Sequence, residues 1–276
     1  MIQRQPHSSR EVEDHLDRLR RAIGAHPSMA VAYSGGVDSG LLAYMAHQTL
    51  GDSMLAVIGV SPSLATSEER AALTFLERHG IPYARVHPGE VDDPRYRANG
   101  PDRCFFCKEA LFRVVETCPE TASFQVVAYG ANTDDRNDHR PGARSASQRG
   151  VVAPLADAGL DKQMVRAIAR ALSLELWDKP AAPCLASRIP YHSEVTPEKL
   201  RQIETAEAVL DALGFCERRV RHYGDTARLE VPIDEHPRMR QPEVWRRIEN
   251  GIHAAGFKRV ELTPDGLRSG RLNDAL

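Results

Sequence analysis

Met29-Ala30-Val31-Ala32-Tyr33 running into Ser34-Gly35-Gly36-Val37-Asp38-Ser39 is the stretch from which the fold of this chain is read. An apolar run of strand length meets two glycines, and a helical pattern extends from Val37 to Leu50. Glycines let backbone N–H groups approach an anion closely, the hydroxyls of Ser34 and Ser39 add donors, and the helix N-terminus contributes the positive end of its dipole. The order strand, loop, helix therefore predicts a phosphate-binding loop. Asp38 is the carboxylate that would hold Mg²⁺ against the phosphates. No Lys follows the glycines, so the loop is not of the GxxxxGK[ST] kind. The competing reading is a tight strand-to-helix turn that is merely rich in Gly and Ser.

Outward from this loop, short β-like runs alternate with helical patterns, which argues for stacked βα units and a parallel sheet. Strands are predicted at Ala30–Tyr33, Met54–Val60, Tyr83–Val86 and Gln125–Tyr129, with helices at Val37–Leu50, Ser67–Arg78, Lys108–Thr117 and Asp161–Leu172. Pro180, Pro183, Pro190 and Pro197 then mark a long irregular connection. Beyond it a helix from Pro197 to Leu213, capped by Thr196, two alternating segments at Arg218–His222 and Ala227–Val231, a helix at Gln241–Ala254 and a last strand at Arg259–Leu262 form a small α+β unit.

Ligands of open α/β sheets bind at the carboxyl ends of the strands. Two loops are of that kind. The one after the first strand resembles the SGGxDS loop of the ATP pyrophosphatases, which cleave ATP to AMP and pyrophosphate; the implied ligands of Ser34, Gly35, Gly36, Val37, Asp38 and Ser39 are then ATP phosphates. The second, Gly130-Ala131-Asn132-Thr133-Asp134, followed by Arg140-Pro141-Gly142, resembles the G-x-N-x-D loop and RPG turn near the nucleotide in several of those enzymes. The fold expected is thus α/β, a PP-loop parallel sheet of the adenine nucleotide alpha hydrolase type with helices on both faces. It occupies residues 1–192, and a small α+β domain for substrate binding and self-association occupies 193–276.

The chain of 276 residues is long enough for two cores, and 36 Lys plus Arg against 38 Asp plus Glu leaves a net charge of −2. That balance gives no global pull toward nucleic acid or an anionic membrane, so neither is expected as a partner. The longest apolar runs, such as Met54–Val60, are far shorter than the roughly 20 residues a membrane span needs. Met1–Arg21 has no apolar signal core, so a cytoplasmic location is expected.

Five cysteines in such a chain read as thiols, ligands or nucleophiles rather than as a disulfide framework. Cys104-Phe105-Phe106-Cys107 has the gap at which a turn brings two sulfurs to one side, and Cys184 lies in the Pro-rich connection. The alternative is a redox pair with an unrelated buried thiol. Three thiols are fewer than a closed four-ligand site needs, and three protein ligands with one open position suit a reactive centre. In the smaller unit, alternation puts Arg219 and Arg221 on one face of a strand, a geometry suited to a phosphate; a solvated strand face is the competing reading.

With these residues in hand the chain resembles the LarE family, the ATP-dependent sulfur transferases that mature the nickel-pincer nucleotide of lactate racemase. The likeness runs from Ser34–Ser39 through Trp177-Asp178-Lys179-Pro180, Cys184, Ser187-Arg188 and Pro190-Tyr191 to Ala227–Val231 and the terminal Arg268-Ser269-Gly270-Arg271-Leu272-Asn273-Asp274. The resemblance implies a small-molecule nucleotide substrate, pyridinium-3,5-biscarboxylic acid mononucleotide, whose carboxylate is adenylated by ATP with Mg²⁺ before sulfur displaces AMP. In one branch the sulfur comes from a cysteine at the place of Cys184, which becomes dehydroalanine. The three-cysteine members resemble proteins in which three thiolates hold a [4Fe-4S] cluster, and the presence of Cys104, Cys107 and Cys184 favours that form.

The family also implies Arg219, Arg221 and Arg268 or Arg271 as the cradle for the substrate phosphate. It places Ser187 and Arg188 near the sulfur and Glu207 and Glu230 close to that site. A homo-oligomer and transient contact with other cofactor-maturation proteins are expected as partners. An ammonia-using amide ligase of the same superfamily has no use for three such cysteines, and a tRNA thiolase calls for a basic surface that this charge balance lacks. A non-enzymatic iron–sulfur carrier or zinc module would leave the phosphate loop an accident.

Overall fold

A computed structural model of the chain describes residues 8–136 and 141–268. It divides into two compact units, one of Met1–Ser61, Thr66–Glu90 and Cys104–Ala182, the other of Pro62–Ala65, Val91–Arg103 and Pro183–Leu276. The single cut expected after residue 192 thus gives way to a border after Ala182. Two short stretches from earlier in the chain join the second unit because they hydrogen-bond its irregular connection: Leu185 N donates to Ser63 O at 2.9 Å and Val195 N to Arg97 O at 2.9 Å.

The first unit is built on four parallel strands, β1 (Met29–Tyr33), β2 (Met54–Gly59), β3 (Tyr83–Val86) and β4 (Val126–Tyr129), in the order β3-β2-β1-β4. The central β1 pairs Met29 with Met54 on one side and with Val126 on the other, and all five of its residues are buried. Burial on both faces is why β1 reads as a continuous apolar run rather than an alternating one. The chain winds outward from β1 to β3 and then returns to add β4 on the opposite side. The carboxyl ends of β1 and β4 therefore flank the point where the strand order reverses, the place where such sheets bind ligands.

The helix after β1 spans Val37–Leu50, and that between β2 and β3 spans Thr66–Arg78. Lys162–Ala171 is capped by Asp161, whose carboxylate accepts from Met164 N at 2.8 Å, a contact worth about 1 kcal/mol. The helix expected from Lys108 begins five residues earlier and spans Arg103–Thr117, so Cys104 and Cys107 lie on a helix rather than on a turn. A further helix, Ser9–Gly24, buries Leu19 and Ile23 beneath an otherwise charged surface.

In the second unit β5 (Arg219–Tyr223) and β6 (Thr226–Glu230) form an antiparallel hairpin, and β7 (Arg259–Leu262) adds parallel to β6. Gly224, at φ +61°, supplies the left-handed residue that the two-residue turn requires. The helices Pro197–Ala212 and Pro242–Ala254 bury Leu210, Ile248 and Ile252 with Phe215, Val220, Leu229 and Phe257 in one core. Among the described residues no helix is long and apolar enough to cross a membrane.

Candidate active site

The first unit's site begins where β1 ends. Ser34 N donates to Ser39 Oγ at 3.1 Å, the two hydroxyls are 3.0 Å apart, and Ser39 Oγ donates to Gly36 O at 3.2 Å. These short links curl the loop back on the first turn of the following helix. Gly35 sits at φ +74°, and a Cβ there would fall 2.8 Å from that of Ala72. Gly130, at the end of β4, is packed so closely that a Cβ would lie 2.6 Å from Ser39 N. Both glycines are thus fixed by space.

Ser34, Gly35, Gly36, Val37, Asp38, Ser39, Gly130, Asn132 and Asp134 all line one cavity of about 630 Å³. Its size is in the range of small-molecule sites. Asp38 accepts from Asn132 Nδ2 at 3.1 Å and is paired with the Lys162 ammonium. Asp134 accepts from Lys162 N at 3.0 Å, so its carboxylate fixes the helix start that presents Lys162. Lys179 Nζ donates to Gly35 O at 3.0 Å and pairs with Glu68 at 2.8 Å, and Arg166 holds the carbonyls of Trp177 and Lys179 at 2.7 and 2.8 Å. Phe112 and Tyr129 give the cavity an aromatic wall, their rings edge to face at 6.1 Å.

Lys162, Lys179, Arg166 and Lys108 on this cavity were not foreseen as site residues. For Lys162 the signal was present: the residue after the cap Asp161 necessarily stands at the helix N-terminus.

The second unit carries the other predicted residues. Cys184 is exposed at the start of a short turn, Leu185–Arg188. Arg188 bends back to donate to Pro183 O at 2.5 Å and Cys184 O at 3.2 Å, while its other edge grips Glu207 at 2.8 and 3.2 Å. Glu207 also accepts from Val220 N at 3.0 Å. Arg221 donates to Ser187 O at 2.7 Å and pairs at 2.9 Å with Glu230, which is wholly buried. Arg219 is 8% exposed and donates to the Arg268 carbonyl at 3.2 Å. The Arg268 side chain is exposed, and Arg271, like Arg140 of the expected RPG turn, lies outside the described residues.

The pair Arg219 and Arg221 is therefore buried, which removes the solvated-face reading. Burial first, and then the guanidiniums of Arg188 and Arg221, push Arg219 below the ordinary arginine range, with Glu230 and Glu207 opposing. Among the described residues Arg188 pairs with Glu207 and Arg221 with Glu230, while Arg219 donates to the Arg268 carbonyl.

All five cysteines are thiols. Cys104 and Cys107, three apart on one helix, share a face, and Lys108, which lines the nucleotide-sized cavity, is one turn from Cys104. As soft donors they and Cys184 suit an iron–sulfur cluster by ligand type. Among the described residues no three His, Cys, Asp or Glu side chains gather about one point. For Mg²⁺ the Asp38 carboxylate is the right hard donor beside an anion loop, and the Lys162 ammonium is its present partner.

A pyridinium-3,5-bisthiocarboxylic acid mononucleotide synthase of Lactiplantibacillus plantarum is 33% identical over 250 residues, 90% of this chain and 90% of that enzyme. The chain belongs to the pyridinium-3,5-bisthiocarboxylic acid mononucleotide synthase family. An uncharacterized protein of Synechocystis is 38% identical over 265 residues, 96% of this chain and 99% of its own length. One component of a glutamine-hydrolyzing GMP synthase from Methanopyrus kandleri is 27% identical over 220 residues, 72% of this chain and 67% of that component. No family model matches the chain. The synthase family and the GMP synthases thus meet on this chain, and the likeness to the thiocarboxylate synthase runs through both of its units.

Proposed function

We propose that this chain uses ATP to adenylate a carboxylate of pyridinium-3,5-biscarboxylic acid mononucleotide and replaces the activated oxygen with sulfur. The first unit, of PP-loop type, would take ATP. Its loop amides and hydroxyls would meet the pyrophosphate, Tyr129 borders the cavity that would take the base, and Asp38 would hold Mg²⁺, which would supply Lewis-acid neutralisation of the phosphate charge. The carboxylate oxygen attacks the α-phosphorus as the bond to pyrophosphate breaks, giving an acyl adenylate. A sulfur nucleophile then adds to the carbonyl carbon, and AMP leaves with the electrons of the C–O bond.

The observation that carries this reading is the group of buried Arg188, Arg219 and Arg221 against Glu207 and Glu230, which among the described residues leaves one positive charge in excess beside the turn that holds Cys184. A substrate phosphate would meet that charge, with Arg219, which among the described residues donates to the Arg268 carbonyl and pairs with no carboxylate, as its proposed cation. Arg268 and Arg271 complete the proposed cradle. Ser187 offers its hydroxyl, itself 3.1 Å from Arg188 Nη1, at the same turn.

For the sulfur source, Cys104, Cys107 and Cys184 would hold a [4Fe-4S] cluster that supplies an exchangeable sulfide. A second reading is favoured by the exposure of Cys184: its own Sγ adds to the carbonyl carbon, and loss of the Cα proton then breaks the Cβ–Sγ bond, leaving the thiocarboxylate and dehydroalanine. The chain kept free of oxygen and given ATP, Mg²⁺ and the biscarboxylic nucleotide is expected to release AMP and thiolated product. Absence of AMP overturns the proposal. Intact-mass measurement of the spent protein separates the sources, since only self-sacrifice removes the elements of H₂S from Cys184.

A further inference from the structure

The stretch Pro183–Pro190 has no strand partner, yet its backbone carbonyls need donors. Side chains of its own unit provide them. Arg188 serves Pro183 and Cys184, and Arg221 serves Ser187. Arg103 Nη1 serves Ala186 at 3.0 Å. Asn99 Nδ2 reaches Ile189 O at 3.3 Å, Pro190 O at 2.8 Å and Ser193 O at 2.9 Å. On its other side Asn99 Oδ1 accepts from the same Arg103 Nη1 at 2.5 Å. One amide thus ties down the far end of the Cys184 turn and orients the guanidinium that holds its middle.

We infer that Asn99, acting through Arg103, is a positioning residue for the Cys184 turn. The assignment rests on the proposed sulfur transfer at that turn. Asn99 is wholly buried and stands at φ +55°, a left-handed conformation that costs most side chains about 1–2 kcal/mol and Asn less. A glycine would meet the backbone requirement without strain, so the side chain is what the position demands. No other residue type of that size offers two donors toward the carbonyls of 189–193 and an acceptor toward Arg103. His192, also left-handed at φ +64°, donates its N–H to Asn99 O at 3.0 Å and closes the loop around the same residue.

Asn99→Gly is the informative variant because it keeps the backbone conformation and removes only the amide. Its expected result is a fall of roughly 100-fold in the single-turnover rate of sulfur transfer, with KM for ATP and AMP formation within about twofold of the parent. An independent readout needs no activity: native alkylation by iodoacetamide, resolved by peptide mass spectrometry, with Cys216 of the same unit as internal control. The Cys184 to Cys216 ratio is expected to change by about fivefold or more. An unchanged ratio, or an unchanged rate of sulfur transfer, overturns the inference. Should the parent itself form no AMP, the functional reading fails and the alkylation ratio alone judges the positioning role. Where Asn99→Gly does not fold, Arg103→Lys, which keeps the charge but not the fork geometry, is expected to shift the ratio in the same direction, and no shift overturns the inference.

Discussion

On the proposed function the two units would answer the same problem, a bound phosphate, with different materials. In the first, the anion-seeking groups are main-chain amides and two hydroxyls within six consecutive residues, Ser34 to Ser39, at the end of a buried strand. In the second they are guanidiniums from a turn and a strand, Arg188 held by Glu207, Arg221 held by Glu230, and Arg219 on the Arg268 carbonyl. A main-chain site has little to rearrange when it fills. A buried side-chain site must be kept in shape by its own counter-charges, and removing one partner leaves the other exposed to the full desolvation penalty.

The contrast is sharpest at Asp38. Asp38→Asn leaves the loop amides in place but removes the carboxylate that would hold the metal, and AMP formation, followed by chromatography, is expected to fall by roughly 100- to 1,000-fold. A loss of less than tenfold would break the comparison by showing that the amides suffice. In the second unit Arg219→Gln keeps bulk and hydrogen bonding but removes the charge. It is expected to raise KM for the biscarboxylic nucleotide by about tenfold to thirtyfold, the worth of one charge-assisted contact at about 1.5–2 kcal/mol. KM for ATP should not follow, and a parallel rise in both would erase the distinction between the two sites.

The smallest effect concerns pH. His222 is buried on β5, accepts or donates at 3.0 Å with Gln202, and packs on the Phe257 ring. Burial first, then Lys199, lowers its pKa, with its backbone hydrogen bond and Asp225 opposing. The unfolded chain therefore takes up the proton more readily. Stability from this residue is complete above the unfolded value of about 6.5 and is lost as pH falls from there toward the folded value. Urea midpoints of the parent should drop over that window, and those of His222→Gln should drop less.

Much of the first unit was legible because its signals are local. The four strands match the expected ones to within a residue, and Asp161 caps the helix it was expected to cap. The start of the Arg103–Thr117 helix was missed although Asp102, a type that favours such starts, stands just before it; the Cys-Phe-Phe-Cys spacing invited a turn instead. The Ser9–Gly24 helix was passed over because its charges hide an apolar stripe that only Leu19 and Ile23 carry fully inward.

In the second unit the alternation of Arg219 and Arg221 was readable, but their burial was not, since Arg221 is matched by Glu230 nine residues on and Arg219 by the Arg268 carbonyl 49 residues on. Asn99 was invisible for a similar reason. The dipeptide Asn99-Gly100 announces a bend. Nothing nearby announces that its amide serves carbonyls some ninety positions on.

The peptide passes between the two units five times, and the last crossing is only the most conspicuous. Severing the chain after Ala182 would deprive the carboxy-terminal fragment of Ser63, Tyr96, Asn99 and Arg103, which stay behind on the other piece. The halves are laced rather than hinged by a lone tether. Recombining one with a foreign companion would therefore mean transplanting two inner excursions along with the tail, and a simple fusion at the obvious seam would yield a fragment with its Cys184 turn unsupported.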